Sequence, residues 1–207
     1  GYGSYEYSVD GGGSWQLAGT FSNLTPGTYD VRIRDAANPA CAIILNPAVI
    51  LTQPDALSAS LQKTDVTCYG SNDGTITITN PSGGYGTYEY TIDGSTWSSS
   101  GSFTSLSPGF YSVRIRDAAN PGCVVVLNGS LRITEPGPLY AVVQKTDISC
   151  NSANDGVIEI TSPTGGYGTY EYSVDGGGSW QLAGSFSNLI PGTYDVRIRD
   201  AVNVDCV

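Results

Sequence analysis

The sequence has no histidine and no methionine, and it has few basic residues. Without histidine it cannot form the Ser–His or Cys–His pairs that activate nucleophiles in many hydrolases, or a zinc site with histidine ligands. Nine lysines and arginines stand against 19 aspartates and glutamates, which gives a formal net charge of −10. Because phosphate binding needs clustered positive charge, we expect no nucleic-acid partner.

Long apolar runs and nucleotide-binding loops are missing as well. No stretch approaches the roughly 20 apolar residues that a membrane-spanning helix needs, so we expect no membrane insertion. No glycine-rich loop leads into Lys-Ser or Lys-Thr, as it would in a P-loop. No pair of carboxylates is singled out by its spacing. These absences predict that the chain is not an enzyme.

The most prominent feature of the sequence is internal repetition. The motif GYGxYEYxxDG begins at Gly1, Gly84 and Gly166, with spacings of 83 and 82 residues. Segments 1–36 and 166–201 differ at only three positions. Proline-containing turns at LTQPDAL and ITEPGPL separate the copies. We therefore predict a truncated unit at 1–54 without its opening strands, a complete unit at 55–136, and a truncated unit at 137–207 without its closing strand.

Within one unit the apolar residues alternate with period two, which predicts β-strands. The predicted strands include 75–79, 88–93, 110–117 and 123–134, with NDG, GGYG, DGS and SPG as turns. About seven short strands in each repeat of about 82 residues predict an all-β chain of tandem immunoglobulin-like β-sandwiches. The sequence LxPGxYxVxI, Leu106 to Ile115, is typical of a tyrosine corner. We expect Tyr111, Val113 and Ile115 to face the core.

The ordered motifs of the unit are TDVTCxGxNDGTITI, GGYGTYEYxIDG, FxxLxPGxYxVxIRDA, a later cysteine and ITEP. In this order they resemble the SprB-type repeat of long cell-surface adhesins in Bacteroidetes, among them the gliding-motility adhesin. The resemblance covers essentially the whole chain. It implies export by the type IX system and display on the outer cell surface as filaments. Because the chain begins within a motif, we also expect it to be a segment of a longer protein.

The stretch SVDGGGSW, Ser8 to Trp15, fits the Asp-box pattern of sialidases and other β-propellers. In an Asp box the carboxylate accepts backbone N–H groups across a hairpin turn, and the aromatic residue packs beneath it. We expect this structural role for Asp10, Asp93 and Asp175, with Trp15, Trp97 and Trp180 as anchors. A sialidase would also need an arginine triad and a tyrosine nucleophile, which nothing in the sequence gathers.

Paired arginines in RIR recur at the predicted strand before each RDA motif. They are the candidate ligand contacts of the chain: Arg32, Arg34, Arg114, Arg116, Arg197 and Arg199. Cross-strand ion pairs with Glu6, Glu89 or Glu171 would occupy them. The alternative is a row of guanidinium groups that bind an acidic polysaccharide through its carboxylates.

Acidic loops offer a weak calcium hypothesis. The NDG sequences at Asp73 and Asp155 resemble type I′ turns, and Asp65 and Asp147 lie eight residues upstream. Calcium requires six to eight oxygen ligands, and the dense DxDxD spacing is absent. The aspartates of the RDAANP turn, Asp35, Asp117 and Asp200, are weaker candidates of the same kind. We expect no other cofactor.

Five cysteines recur in register at Cys41, Cys68, Cys123, Cys150 and Cys206. An extracellular location favours disulfides. Pairing within each unit would join Cys68 to Cys123 and Cys150 to Cys206. Pairing between units would join Cys41 to Cys68 and Cys123 to Cys150, and free buried thiols are a third alternative. The number of cysteines does not decide among these.

Tyrosines in the GYG loops, Tyr2, Tyr85 and Tyr167, are expected either to stack on sugars or to pack against a neighbouring unit. The favoured function is a structural repeat segment of a long adhesin filament that mediates attachment and, in some proteins, gliding. Its expected partners are neighbouring repeats, laterally assembled filaments, and a surface polysaccharide or substratum. The alternative is an array of carbohydrate-binding modules in a secreted polysaccharide-degrading protein.

Overall fold

The computed structural model describes residues 3–207, and in this part of the chain it contains strands but no helix. The described residues therefore include no helix that could cross a membrane. The chain divides into two compact units, Gly1–Asp55 and Ala56–Val207. The prediction of an all-β fold is confirmed.

The first compact unit holds one three-stranded antiparallel sheet. Its strands, paired in this order, are β1 (Tyr5–Ser8), β2 (Gly27–Asp35) and β3 (Ala42–Leu51). Several apolar side chains of β3 are exposed, among them those of Ile43, Ile44 and Ile50. By sequence these strands correspond to the second half of a repeat, and residues 3–55 form no second sheet that faces them.

The second compact unit begins with a complete repeat of six strands. They are β4 (Ser58–Thr64), β5 (Gly74–Ser82), β6 (Tyr88–Thr91), β7 (Ser102–Leu106), β8 (Gly109–Asp117) and β9 (Val124–Ile133). They form two sheets of order β4-β5-β7 and β6-β8-β9. This is the A-B-E and C-F-G order of an immunoglobulin sandwich that lacks strand D.

A further repeat continues the same unit. Its strands are β10 (Gly137–Thr146), β11 (Gly156–Gly166), β12 (Tyr170–Ser173), β13 (Ser185–Leu189) and β14 (Arg197–Asp200). They pair as β10-β11-β13 and β12-β14. The pairing repeats that of the complete repeat except for the last strand.

The core of the complete repeat lies between its two sheets. Ile76 and Ile78 of β5 pack against Tyr90, Val113 and Ile115 of the other sheet. Alternate residues of a strand point to opposite faces, so the sequences TITI and YSVRI each bury one apolar row. Val113 and Ile115 are fully buried, as predicted, whereas Tyr111 is half-buried.

The tyrosine corner is present in all three copies. The hydroxyl of Tyr111 donates a 2.8 Å hydrogen bond to the carbonyl oxygen of Ser107, four residues earlier. Tyr29 and Tyr194 make the equivalent bonds at 2.6 and 2.9 Å. This prediction is confirmed, and the bond closes the turn that leads into β8.

The complete repeat has six strands rather than about seven. In an immunoglobulin sandwich, strand D lies between the strands equivalent to β6 and β7, where this chain instead makes the Asp-box turn. There the pairing is reduced to single bridges, such as Tyr90 with Ser98. The NDG prediction also needs correction, because β4 and β5 are joined by a nine-residue loop, 65–73, and not by a two-residue type I′ turn.

Strand register defines two ends of the sandwich. At one end, which we call the leading end, the β5–β6 loop meets the β8–β9 loop, since the backbone N–H of Tyr85 binds the Asp117 carboxylate. At the other, the trailing end, β4 and β9 finish side by side, and the N–H of Val66 donates to Thr134 at 2.9 Å. The chain thus enters the repeat at the leading end and leaves at the trailing end.

Candidate functional site

A stack of tryptophan, arginine and glutamate recurs on the outer face of the sheets. In the complete repeat the register places Glu89 of β6 opposite Arg116 of β8. Their side chains form a 2.6 Å ion pair, and the guanidinium lies 4.3 Å from the centre of the Trp97 ring. The same stack joins Glu6, Arg34 and Trp15, and again Glu171, Arg199 and Trp180.

This stack decides what half of the six candidate arginines do in the structure. A guanidinium sandwiched between a carboxylate and an indole has its charge matched and one face covered. Arg34, Arg116 and Arg199 therefore act first as cross-strand ties, which join β1 to β2, β6 to β8 and β12 to β14. They present little unpaired positive charge to a ligand.

The other arginine of each pair behaves differently in the middle copy. Arg32 and Arg197 bind the aspartate two residues earlier, Asp30 and Asp195, at 2.6 and 2.7 Å. In the complete repeat this aspartate is replaced by Ser112, which Arg114 contacts at 3.2 Å. No ion pair to Arg114 occurs within residues 3–207.

Each Asp-box aspartate organises the hairpin turn that contains it. The Asp10 carboxylate accepts the backbone N–H and the hydroxyl of Ser14 at 2.9 and 2.6 Å, and the hydroxyl of Ser8 at 2.8 Å. The indole of Trp15 donates to the carbonyl of Gly12 at 2.9 Å. Gly12 itself has a φ of +96°, which a side chain would strain.

The third copy repeats these bonds at Asp175, and the shorter middle copy varies them. There the Asp93 carboxylate accepts the N–H groups of Ser95 and Thr96, both at 2.7 Å. Hydrogen bonds to the charged form lower the pKa of all three carboxyls; the largest contributions come from Ser14 for Asp10, Ser95 for Asp93 and Ser179 for Asp175. These aspartates thus sit within their turns as hydrogen-bond acceptors.

Buried aspartates hold the leading end together. Asp117 is fully buried and accepts backbone N–H groups from Tyr85, from Ala119 at 2.8 Å and from Asn120 at 3.1 Å. These bonds, that from Tyr85 first, lower the pKa of Asp117. In the next repeat burial alone would raise the pKa of Asp200, but the bonds from Tyr167, Asn203 and Val202 together lower it. The sequence indicated this aspartate only as a weak calcium candidate.

The loop aspartates considered for calcium are also bound by the protein. Asp73 accepts the N–H of Thr67 at 2.9 Å and also its hydroxyl, and these bonds lower the pKa of Asp73. Asp155 binds Ser149 in the same way, at 2.9 and 2.6 Å. Asp65 instead binds Lys63 and the N–H of Thr134. Among residues 3–207 no group of three acidic, cysteine or histidine side chains is placed to hold a metal ion.

The junction between the two repeats of the second unit is closed by a disulfide bond. Cys68 lies in the trailing-end loop between β4 and β5, and Cys206 lies beyond β14 at the leading end of the next repeat. The bond joins residues 138 positions apart, with Cα atoms 5.3 Å from each other. The Tyr167 hydroxyl, also at that leading end, contacts the Val66 carbonyl oxygen at 3.5 Å.

This disulfide differs from both predicted pairings. Cys123 lies at the leading end of its repeat and Cys68 at the trailing end, roughly 30 Å apart for a ten-residue strand between them. Disulfides need Cα atoms about 4.4–6.8 Å apart, so pairing within a repeat is excluded, also for Cys150 with Cys206. Pairing Cys123 with Cys150 would span two repeats. Cys41, Cys123 and Cys150 are exposed free thiols.

The tyrosines of the GYG loops lie at the leading ends of their repeats. Tyr167 reaches the preceding repeat, whereas Tyr85, at the equivalent position of the complete repeat, is 63% exposed. Tyr2, the third member, lies outside the described residues. Within the second compact unit, the leading-end tyrosine Tyr167 is thus a contact of the junction between its two repeats.

The family comparison agrees with the repeat pattern. The model of the SprB repeat matches residues 60–96 and residues 142–179, each time from the first strand of a repeat to its Asp-box turn. No curated protein and no solved structure matches the chain. The SprB repeat is a structural repeat rather than an enzyme family, and it is associated with cell-surface proteins. Two segments of the chain, residues 60–96 and residues 142–179, are therefore similar to the SprB repeat, consistent with the resemblance seen in the sequence.

Proposed function

We propose that the chain is a load-bearing segment of a long adhesin filament on the outer cell surface, where it extends the filament and contributes to attachment. One observation carries this proposal: the complete repeat passes end to end into the next one, with a disulfide across the junction. Repeats that connect leading end to trailing end add length with every copy.

The strand arrangement suits a chain under tension. The complete repeat begins with β4 at the leading end and finishes with β9 at the trailing end, so a pull on the chain runs along the strands. The residues that directly follow these two strands are tied by the Val66–Thr134 bond and by the 2.8 Å bond from the Thr134 N–H to Asp65. Tension loads such bonds together rather than one after another, which supports a mechanical role.

Attachment in this proposal comes from many weak contacts along the filament. Multivalency raises avidity without any single strong site. Most of the candidate arginines are paired with carboxylates of their own repeat, which disfavours a strong acidic-glycan site in every copy. The role requires no cofactor, and calcium binding at Asp73 or Asp155 stays a prediction. Gliding would be one use of such a filament.

Immuno-electron microscopy of intact cells tests this function. An antibody raised against the 207-residue chain should label thin surface filaments at many points along their length. Cells treated with an external protease before labelling are the control, and they should lose the signal. Label found only in the soluble secreted fraction would contradict the filament and favour the alternative of a secreted carbohydrate-binding array.

A glycan-binding measurement separates that alternative directly. If the chain is a carbohydrate-binding array, it binds an acidic polysaccharide as an isolated protein, and Arg114→Ala weakens the binding because Arg114 lacks an ion pair within the described residues. Arg116→Ala is the matched comparison, since Arg116 is held by Glu89 and Trp97. For the filament function we expect no measurable binding by the isolated chain.

A further inference from the structure

We propose that the bond between Cys68 and Cys206 is one member of a regular series in which each repeat is covalently joined to the next at their junction. We call the cysteine before the NDG motif of a repeat its opening cysteine, and the cysteine after the RDA motif its closing cysteine. In this series Cys123 is a closing cysteine that bonds to the opening cysteine of a preceding repeat. Cys150 is the site that receives the closing cysteine of a following repeat. The inference rests on the proposed function in one respect only: it requires a further repeat before the repeat of Cys123 and another after the repeat of Cys150.

The first argument is that the free and the bonded cysteines occupy the same loops. Cys206 closes its loop with an N–H bond to Asn203 at 2.9 Å, and its carbonyl accepts the N–H of Asp200 at 3.0 Å. Cys123 makes the corresponding bonds with Asn120 at 2.8 Å and Asp117 at 3.2 Å. The loop of Cys123 thus already has the form that its counterpart has in a disulfide.

The same holds for the other side of the junction. The carbonyl of Cys68 accepts the N–H of Ser71 at 3.0 Å, and the carbonyl of Cys150 accepts the N–H of Ala153 at 3.0 Å. The loops are also braced alike, by Asp73 on Thr67 and by Asp155 on Ser149. The loop therefore already holds Cys150 as the equivalent loop holds Cys68. To form the same disulfide, Cys150 needs only a following repeat placed as the second repeat is placed against Cys68.

The second argument is geometric. Cys123 and Cys150 are exposed, and within their own repeats the partner cysteines are at the far ends. The opening cysteine of any repeat lies at its trailing end, and the closing cysteine of the next lies at its leading end. Only the pairing of the opening cysteine of one repeat with the closing cysteine of the next, as in Cys68 with Cys206, joins ends that meet.

The chemistry is an ordinary thiol oxidation. Two thiols form one S–S bond and give up two protons and two electrons. A disulfide oxidant, such as oxidised glutathione, accepts them and is reduced to two thiols. Each new junction in an oxidising compartment therefore consumes one equivalent of such an oxidant.

A chain with one added repeat tests the inference. A second copy of residues 84–165 is inserted between Gly165 and Gly166, and Val126 in the copy is replaced by isoleucine as a mass tag. The chain is refolded with reduced and oxidised glutathione, its free thiols are alkylated, and disulfide-linked peptides are mapped by mass spectrometry. The unmodified 207-residue chain is treated in parallel.

The expected result is one disulfide in the 207-residue chain, Cys68 with Cys206, and two in the longer chain. In the longer chain Cys68 bonds to the copied Cys123, and Cys150 bonds to Cys206. Replacing Cys150 by serine should remove the second bond and keep the first. Replacing the original Cys123 by serine should change neither.

Three outcomes would overturn the inference: a single disulfide in the longer chain, a bond between Cys68 and the original Cys123, or a dimer in which Cys123 bonds to Cys123 of a second chain. If the longer chain fails to fold, the parallel sample still decides, because loss of the Cys68–Cys206 bond from the 207-residue chain contradicts the series. This test is independent of filament labelling on cells, so the proposed function and the disulfide series can fail separately.

Discussion

At the scale of single residues, the positions that matter most are small or charged groups in turns. Asp117 is buried because it replaces solvent with three backbone N–H donors, which a carboxylate accepts well. Gly84 lies against it with a φ of +62°. A Cβ at that position would press on the Asp117 carboxylate and lie 2.8 Å from Cδ2 of Leu57. The GYG motif is therefore needed for the leading end to close.

Gly84→Ala should destabilise the complete repeat by more than the roughly 1–2 kcal/mol that a left-handed backbone costs a residue with a side chain. The additional cost comes from the contact with Asp117 and Leu57. Urea unfolding measures the effect. Gly86→Ala is the control, because Gly86 has a φ of +89° with open space around its Cβ position. Equal destabilisation by both changes would contradict the packing argument.

Stability should fall as the pH drops below about 4, the ordinary range of an aspartate carboxyl. The pKa values of Asp10, Asp93 and Asp117 are lowered by hydrogen bonds in the folded chain. The unfolded chain therefore takes up protons first, so the stabilisation is complete above its pKa and is lost as the pH falls towards the folded value. The midpoint of urea unfolding, measured from pH 7 to pH 2, follows this change.

Asp93→Asn tests the assignment of that pH dependence. The amide oxygen can still accept N–H groups from Ser95 and Thr96, but it carries no charge and does not titrate. The variant should be less stable at pH 7 and should lose less of its stability on acidification. An acid dependence identical to that of the natural sequence would show that Asp93 does not contribute.

At the scale of structural elements, β8 carries the organisation of the repeat. Its inward-facing side chains fill the core, and its outward-facing side chains include the arginine that ties it to β6. The Tyr111 hydroxyl closes the turn that leads into the strand. The alternation of the two rows follows from the period of a strand. Because one strand serves all three purposes, a change at its start affects how the two sheets meet.

Tyr111→Phe should lower the free energy of unfolding by about 1 kcal/mol, the usual net value of one hydrogen bond. The ring remains and only the bond to Ser107 is lost. Chemical unfolding of the two proteins gives the difference. Tyr85→Phe provides the matched change at an exposed hydroxyl and should have little effect. A larger loss at Tyr85 than at Tyr111 would contradict the role of the corner.

At the scale of the whole molecule, the repeats of the second unit share a covalent link as well as a peptide connection. The disulfide encloses most of that unit, since its cysteines are 138 positions apart. Cross-linking so long a loop reduces the conformational freedom of the unfolded chain and leaves the folded chain unchanged. The two repeats should consequently unfold together while the bond is intact.

Cys206→Ser should destabilise the second unit by up to about 5 kcal/mol, from the chain-entropy relation for a loop of this length. It should also separate thermal unfolding into two transitions, one for each repeat, in differential scanning calorimetry. Cys123→Ser is the matched control, since that thiol occupies the same loop position and is free in this chain. A single unchanged transition for Cys206→Ser would contradict coupling through the bond.

The sequence by itself determined the repeat and the all-β fold, because both depend on local patterns. Alternating apolar residues define strands, and the phrase around Tyr111 defines a corner whose bond spans four residues. The arginine–glutamate ties were also visible in the sequence as the first interpretation of the RIR pairs, since Glu6, Glu89 and Glu171 lie on a strand expected to be a neighbour. The shape of the NDG loop was not visible in the sequence. The carboxylate of Asp73 accepts the N–H of Thr67, six residues earlier, and this bond stabilises a loop longer than a two-residue turn.

Only the tertiary structure decided how the cysteines pair. Counting and register left two schemes open, and the structure adopts neither, because the relevant quantity is which end of the sandwich each loop occupies. Cys68 and Cys123 are closer to each other in sequence, but they lie at the trailing and the leading end of the same sandwich. Cys68 and Cys206 are far apart in sequence, yet they meet where one repeat ends and the next begins. Separation along the chain does not predict the distance between two cysteines here, because each β-strand carries the chain from one end of the sandwich to the other.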